Sequence, residues 1–266
     1  KSRNTLDKIK PFLSLKPKDF MPVAPGVTEP RTGLSMGQSC ELMAQEWKLN
    51  QNEQDELAIQ SHKNATAAYE EGFYKDLVTP FNNLDKDNNV RPDSTIEKMN
   101  KLKPAFDRTG KGTLTAGNSS PLTDGAACVL LGSDEWAQAN GLKIQAYITH
   151  SEVAAVDFMN AEGLLIAPAY AVPRMLKKAG LTLKDFDYYE IHEAFAAQVL
   201  CTLKAWESEE FCKEKLGLDG ALGSIDRDKL NVKGGSVALG HPFAATGARI
   251  LSSLAKILDQ KGSGRG

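Results

Sequence analysis

From about residue 119 the chain alternates short apolar runs with amphipathic stretches, and this alternation constrains the fold more than any other feature. DGAACVLLGS reads as a buried strand and SDEWAQANG as a capped helix. KIQAYITHSEV alternates like a strand, and PAYAVPRMLKKAG is a helix stopped by Gly180. FDYYEIH, EAFAAQVLCTLKAWESEEF, GSVAL and FAATGARILSSLAKILDQ continue as strand, helix, strand and helix. Such a pattern predicts an α/β fold in which a mixed or largely parallel sheet is flanked by helices. No short repeat of the solenoid kind is present.

The first part of the chain has another texture. Pro11, Pro17, Pro22, Pro25 and Pro30 fall within residues 1 to 34, forbid long helix or central strand there, and predict an extended surface segment. Two helices follow, SCELMAQEW and NQNEQDELAIQSHKNATAAYEEG, the second with Glu53, Asp55 and Glu56 in its first turn and Gly72 at its end. Residues 80 to 118 are polar and punctuated by Asn-Asn, Arg-Pro and Gly-Lys-Gly, which reads as a long excursion from the core. The chain opens without Met and closes on KGSGRG straight after a helix. A helix entering a Gly-rich turn normally feeds another strand, so a piece of a longer protein is expected.

With 266 residues, 41% hydrophobic and 25% charged, the chain is long enough for one large or two modest domains. A net charge of −2 gives no global attraction for nucleic acid or an anionic membrane surface. No apolar run approaches the roughly 20 residues of a membrane span, and KSRNTLDKIKPFLSLK lacks the apolar core of a secretory signal. Cys40, Cys128, Cys201 and Cys212 form no C-x-x-C pair and read as reduced thiols of an intracellular protein, with no metal site expected.

Two of the four histidines stand at expected strand-to-helix junctions, in Ile191-His192-Glu193-Ala194-Phe195 and Leu239-Gly240-His241-Pro242-Phe243. Ligands gather at the carboxyl ends of strands in open α/β sheets, where helix N-termini present unpaired N–H groups. Gly240 permits close backbone approach and Pro242 suits a first helical turn. Either histidine alone reads as a structural residue. The pair at equivalent junctions points to proton transfer, with a helix N-terminus favouring the neutral base. His62, in a charged helix, is expected to be solvated, and His150, at a strand end, to be structural.

A histidine base needs a nucleophile, and none of the four cysteines sits at a strand-to-helix turn. Cys40 and Cys212 fall within helices, Cys201 lies well into the helix after His192, and Cys128 lies in the expected buried strand, so a nucleophile would lie outside this chain. TAGNSSPLTDGAA, residues 115 to 127, is a dense turn that fits a connecting loop and a ligand-contacting loop equally well. Before it, Lys98, Lys101, Lys103, Arg108 and Lys111 surround Phe106. That group could hold a nucleotide-like phosphate and ring, but alone the signal is weak, because charge runs are usually solvated faces.

GLSMGQSCELMA, KLKPAFDRTGKGTLTAGNSSPLTDGAA, IHEAFAAQVL and GGSVALGHPFAATGAR together resemble the thiolase family in order and spacing, over nearly the whole chain. They are most similar to the branch that includes the trifunctional β subunits, because most thiolases carry Asn-Glu-Ala-Phe where this chain has His192-Glu193-Ala194-Phe195. The resemblance implies a thiolase-like layered α-β-α core domain with a mixed sheet, plus an inserted α-rich loop domain. Residues 1–119 would be the loop, CoA-binding domain and 120–266 a truncated C-terminal core, with the N-terminal core domain absent.

The activity implied is acyl transfer, the thiolytic cleavage of a 3-ketoacyl-CoA or the reverse condensation. His241 would be the base that activates a cysteine, and His192 would orient a water in an oxyanion hole. Glu193 and Gly240 would support them. Ser120, Phe106, Met36, Ala194 and Phe195 match positions lining CoA, and Arg91 one near its nucleotide end. Coenzyme A would be a substrate, with no resident cofactor. The family further implies a homodimer or tetramer, a possible hydratase/dehydrogenase partner subunit, and an intracellular location, cytoplasmic or, in a eukaryote, mitochondrial. A decarboxylating condensing enzyme and a non-catalytic CoA-binding fragment are the alternatives.

Overall fold

Caps and turn residues put the helices close to where the sequence reading has them. The computed structural model describes residues 13, 15–21, 26–159 and 163–266, and its contacts part the chain into Lys1–Ser35 and Met36–Gly266. In the first unit, Pro17–Phe20 forms a 3-10 turn whose Asp19 carboxylate accepts from the Lys16 amide. Thr28 and Ser35 meet in an antiparallel bridge. The expected extended backbone at Pro11, Pro22 and Pro25 lies outside the described residues. The boundary expected at 119/120 falls inside the second unit.

The second unit is built on helices α1 (Met36–Glu46), α2 (Gln51–Glu70), α3 (Ile96–Met99), α4 (Asp134–Ala139), α5 (Pro168–Ala179), α6 (Ala196–Glu207), α7 (Glu209–Glu214), α8 (Ser236–Leu239) and α9 (Thr246–Lys261). Helix α2 starts in a capping box, Asn50 Oδ1 accepting from the Glu53 amide while the Glu53 carboxylate accepts from the Asn50 amide. Helix α5 takes Pro168 at its first turn and stops at Gly180, whose φ is +66°. Helix α6 is buried at every position except Lys204 and Glu207, as expected of a central helix that is apolar nearly all round. Helices α1, α2 and α5 all pack on it.

Two expectations about helices need correction. The run from Glu193 to Phe211 is two helices, because Ser208 adopts an extended ψ of 114° and uses its hydroxyl to cap α7 at the Phe211 amide. GSVAL is a helical turn, with the Ala238 and Leu239 amides donating to Gly235 O. A short apolar run such as Val237–Leu239 buries equally well in either state, and here the buried Glu193 carboxylate accepts from the Val237 amide at the start of the turn. His241 therefore follows a helical turn, not a strand.

Among the described residues the expected sheet is represented only by isolated bridges, including a parallel one between Tyr189 and Leu230 and an antiparallel one between Ser119 and Phe195. DGAACVLLGS and KIQAYITHSEV run without strand partners, and Leu130 and Leu131 are 72% and 66% exposed. A strand's ladder of hydrogen bonds is completed by a neighbouring strand, and apolar patterning supplies no such neighbour. Cys128, expected in a buried strand, is exposed for the same reason.

The excursion from 80 to 118 is tied down by buried carboxylates. Glu41 accepts from the Thr113 amide, the Thr113 hydroxyl and the Leu114 amide. Asp55 accepts from Asn118 Nδ2 and Gln51 Nε2. No helix among the described residues is long and apolar enough to cross a membrane.

Candidate active site

The pins on Thr113 and Asn118 deliver residues 118–120 alongside the segment entering α6. The Ser120 amide donates to Ala194 O and the Ala196 amide to Asn118 O, both at 2.9 Å. Beneath this stitch the Phe106 ring meets the Phe195 ring edge-to-face at 5.7 Å and lies so close over Gly37 that a Cβ there would sit 2.2 Å from it. Met36, beside Gly37, is partly exposed. Five of the six residues expected to line CoA, Ser120, Phe106, Met36, Ala194 and Phe195, thus belong to one neighbourhood. Phe106 is turned inward against apolar residues, so the lysines around it in sequence do not form a cage on its ring.

Arg91 stands elsewhere, its guanidinium turned back on the Asn88 and Val90 carbonyls. Its amide donates to His62 Nδ1 at 3.2 Å. His62, expected to be solvated, is 6% exposed. Burial, together with the Arg91 charge, pushes its pKa down to about 4. His150 is exposed, and its Nδ1 lies 3.1 Å from Thr149 Oγ1.

The second neighbourhood adjoins the first along the chain. Segment 191–193 is clamped by Asn231, whose Oδ1 accepts from the Ile191 amide and whose Nδ2 donates to Ile191 O and Glu193 Oε1. Glu193, 1% exposed, also accepts from Ser61 Oγ on α2 and from the Val237 amide of α8. The Gly235 amide closes the ring by donating to Ser61 Oγ, and a Cβ at Gly235 would fall 2.1 Å from the Glu193 carboxylate. Glu193 therefore holds α2, α8 and the segment behind His192 in one arrangement.

On that support the His192 and His241 rings come together, with centroids 4.1 Å apart and planes inclined by 48°. His192 Nδ1 lies 2.7 Å from Ser236 Oγ, and His241 Nδ1 lies 2.8 Å from Thr246 Oγ1. Burial, the neighbouring His241 and the Arg249 charge push His192 down to about 4. Burial and Arg249 lower His241 in the same direction. Burial and a nearby cation, rather than the helix N-terminus expected from sequence, thus favour the neutral form of both rings. Gly240 has φ +94°, and a Cβ there would meet Thr123 Cγ2 at 2.7 Å, so the turn into His241 needs glycine. His241, Pro242 and Phe243 face Leu122, Thr123, Asp124 and Gly125 across an open cleft of about 550 Å³, of ligand-binding size.

Two models of one family cover this chain: "Thiolase, N-terminal domain" matches residues 12–135, and "Thiolase, C-terminal domain" matches 142–266. The chain belongs to the thiolase family. The 3-ketoacyl-CoA thiolase of Pectobacterium carotovorum subsp. carotovorum is 46% identical over 272 residues, covering 100% of this chain and 62% of that protein. The acetyl-CoA acetyltransferase of Bacillus anthracis is similar in structure, with a TM-score of 0.73 and 35% identity over 94% of this chain and 62% of its own. The human mitochondrial 3-ketoacyl-CoA thiolase in complex with CoA has a TM-score of 0.70 and 31% identity, over 89% of this chain and 55% of its own. The fold class is thus the α/β thiolase fold, and this thiolase chain spans about 62% of the length of the curated relatives it matches.

Ser236, Thr246, Arg249, Asn231 and Ser61 escaped the sequence reading. Ser236 and Thr246 stand five residues before and after His241, a spacing with no helical or strand meaning until Gly240 folds the chain back. Asn231 carries a trace, since it directly precedes Val232-Lys233-Gly234-Gly235 and adopts φ +46°, a conformation in which Asn is tolerated.

Proposed function

We propose that the chain is the histidine-bearing portion of an acyltransferase that cleaves 3-ketoacyl-CoA with CoA, or runs the reverse condensation, in fatty-acid β-oxidation. The observation that carries this is the His192–His241 pair: two imidazoles in ring contact, both biased toward the neutral form by burial and the Arg249 charge, one opening on a cleft of ligand size. A neutral His241 takes the thiol proton of a cysteine, and the thiolate attacks the 3-keto carbon of the substrate. His192 stabilises the negative oxygen, directly or through a water. The bond between C2 and C3 then breaks, C2 takes a proton, acetyl-CoA leaves, and the acyl group passes from the cysteine to a CoA thiol.

The cysteine is not one of the four present. Cys40, Cys201 and Cys212 are buried, Cys128 lies on an exposed extended segment, and no contact joins any of them to either histidine among the described residues. In this reading, the rest of the protein supplies the nucleophile, the chain alone gives no turnover, and Ser120, Phe106, Met36, Ala194, Phe195 and Arg91 meet the CoA. Residues 1–119 act as the CoA-binding loop domain and 120–266 as the core. Dimeric or tetrameric assembly, a hydratase/dehydrogenase partner, CoA as substrate without a resident cofactor, and an intracellular location belong to the same reading. The names of the relatives and the CoA bound to a similar structure support the CoA part of this reading.

Thiolysis of acetoacetyl-CoA and of a long-chain 3-ketoacyl-CoA by the intact protein carrying this chain tests the reading. His241→Ala is expected to lower kcat by about 10²- to 10⁴-fold and His192→Ala by about 10²- to 10³-fold. CoA binding without turnover in the intact protein would favour a non-catalytic role.

A further inference from the structure

We infer that Arg249 and Ser236 form a positioning pair that fixes the proton of His192 on Nε2, so that this ring presents a donor to the cleft side while His241 stays free to present an acceptor. Ser236 is fully buried, and among the described residues its Oγ has two partners: His192 Nδ1 at 2.7 Å and Arg249 Nη2 at 2.9 Å. A guanidinium only donates, so Oγ accepts from Arg249. The single hydroxyl proton is then left with His192 Nδ1 as its acceptor, which occupies the Nδ1 lone pair and places the ring's own proton on Nε2. The opposite tautomer would aim two donors at Oγ and strand the hydroxyl proton in a buried space.

Thr246 is built differently. Its hydroxyl lies 2.8 Å from His241 Nδ1 and 3.4 Å from Pro242 O, so a carbonyl is available for its proton. It can then accept from His241 Nδ1–H and leave Nε2 bare. The two tilted rings are thereby given complementary faces by the hydroxyls behind them. Arg249 Nε and Nη1 are buried and make no hydrogen bond among the described residues, and the guanidinium charge favours the ionised forms of the Glu190 and Glu193 carboxyls. Its charge also opposes protonation of both rings. The consequence for rate rests on the acyltransferase reading, whereas the tautomer is measurable without it.

Long-range ¹H–¹⁵N correlation on the ¹⁵N-histidine-labelled intact protein carrying this chain, with His192→Gln and His241→Gln spectra to assign the two rings, reads each tautomer. The expected result is a bare Nδ1 and protonated Nε2 on His192 at pH 7. Ser236→Ala and Arg249→Met should convert this to a mixture of tautomers, and Arg249→Lys should restore it in part. A His192 proton on Nδ1 in the unmodified protein overturns the proposal, as does an unchanged tautomer in folded Arg249→Met protein. In the intact protein, Arg249→Met should lower kcat at least tenfold with little change in the KM for CoA, and Arg249→Lys should recover part of the loss. The expected tautomer with no thiolysis by the intact protein would sustain the positioning pair and remove the acyltransferase reading instead.

Discussion

His62 shows how burial converts an ordinary side chain into a pH liability. Its folded pKa of about 4 lies below its ordinary value of 6.5, so on acidification the unfolded chain takes up the proton first. The folded state thus loses stability between about pH 6.5 and about pH 4. Between pH 7 and pH 5 the share of His62 is about 2 kcal/mol. In urea denaturation at the two pH values, His62→Gln should flatten the decline by about that amount relative to the unmodified chain. The charged character of the helix suggested a solvated His62, but Asp55, Ala58, His62 and Ala65 share one buried helical face. What was not legible is the Arg91 amide that claims Nδ1, because that contact spans 29 positions. The same holds at the active site. His192, His241, Glu193 and Gly240 announced themselves by residue type and local context, while Ser236 and Arg249 acquire meaning only once the chain has folded around the rings.

Among the elements, helices were readable because their signals are local. Asn50 with Glu53, Pro168 with Gly180, and Ser133 ahead of α4 each solve an end problem within a few residues. The strands were not, because a strand is completed by a distant partner, and GSVAL shows that a short apolar run follows whichever neighbours it is given. The turn between α8 and His241 depends on Gly240 in the same local way. Gly240→Ala forces a methyl group against Thr123 at φ +94°, and should cost about 1–3 kcal/mol in urea denaturation. It should also weaken the His192–His241 contact, read as a change in the ¹⁵N shifts of both rings.

At the scale of the molecule, the unit from Met36 to Gly266 joins a well-buried helical core to long stretches that bury little. Leu122, Leu130, Leu131, Tyr147, Ile148 and Val153 are all more than 60% exposed, along segments whose backbone has no strand partner. Contiguous apolar exposure of this kind draws in partners or promotes association. The chain alone should therefore bind the hydrophobic dye ANS and sediment as larger species at micromolar concentration. Leu131→Lys with Ile148→Lys should reduce both signals without altering the helical circular dichroism; a monomer without dye binding would contradict this account.

The stitch between residues 118–120 and 194–196 also has a mechanical side. His192 and Phe195 are separated by three peptide steps, about 10 Å of extended chain, and each end of that span is tethered, one by Asn231 and the other by Asn118 and Phe106. The ring packing at Phe195 and the histidine pair at His192 are thus linked in series. A ligand that tightens the grip on one end draws the same short cord at the other, and a loose fit there slackens both.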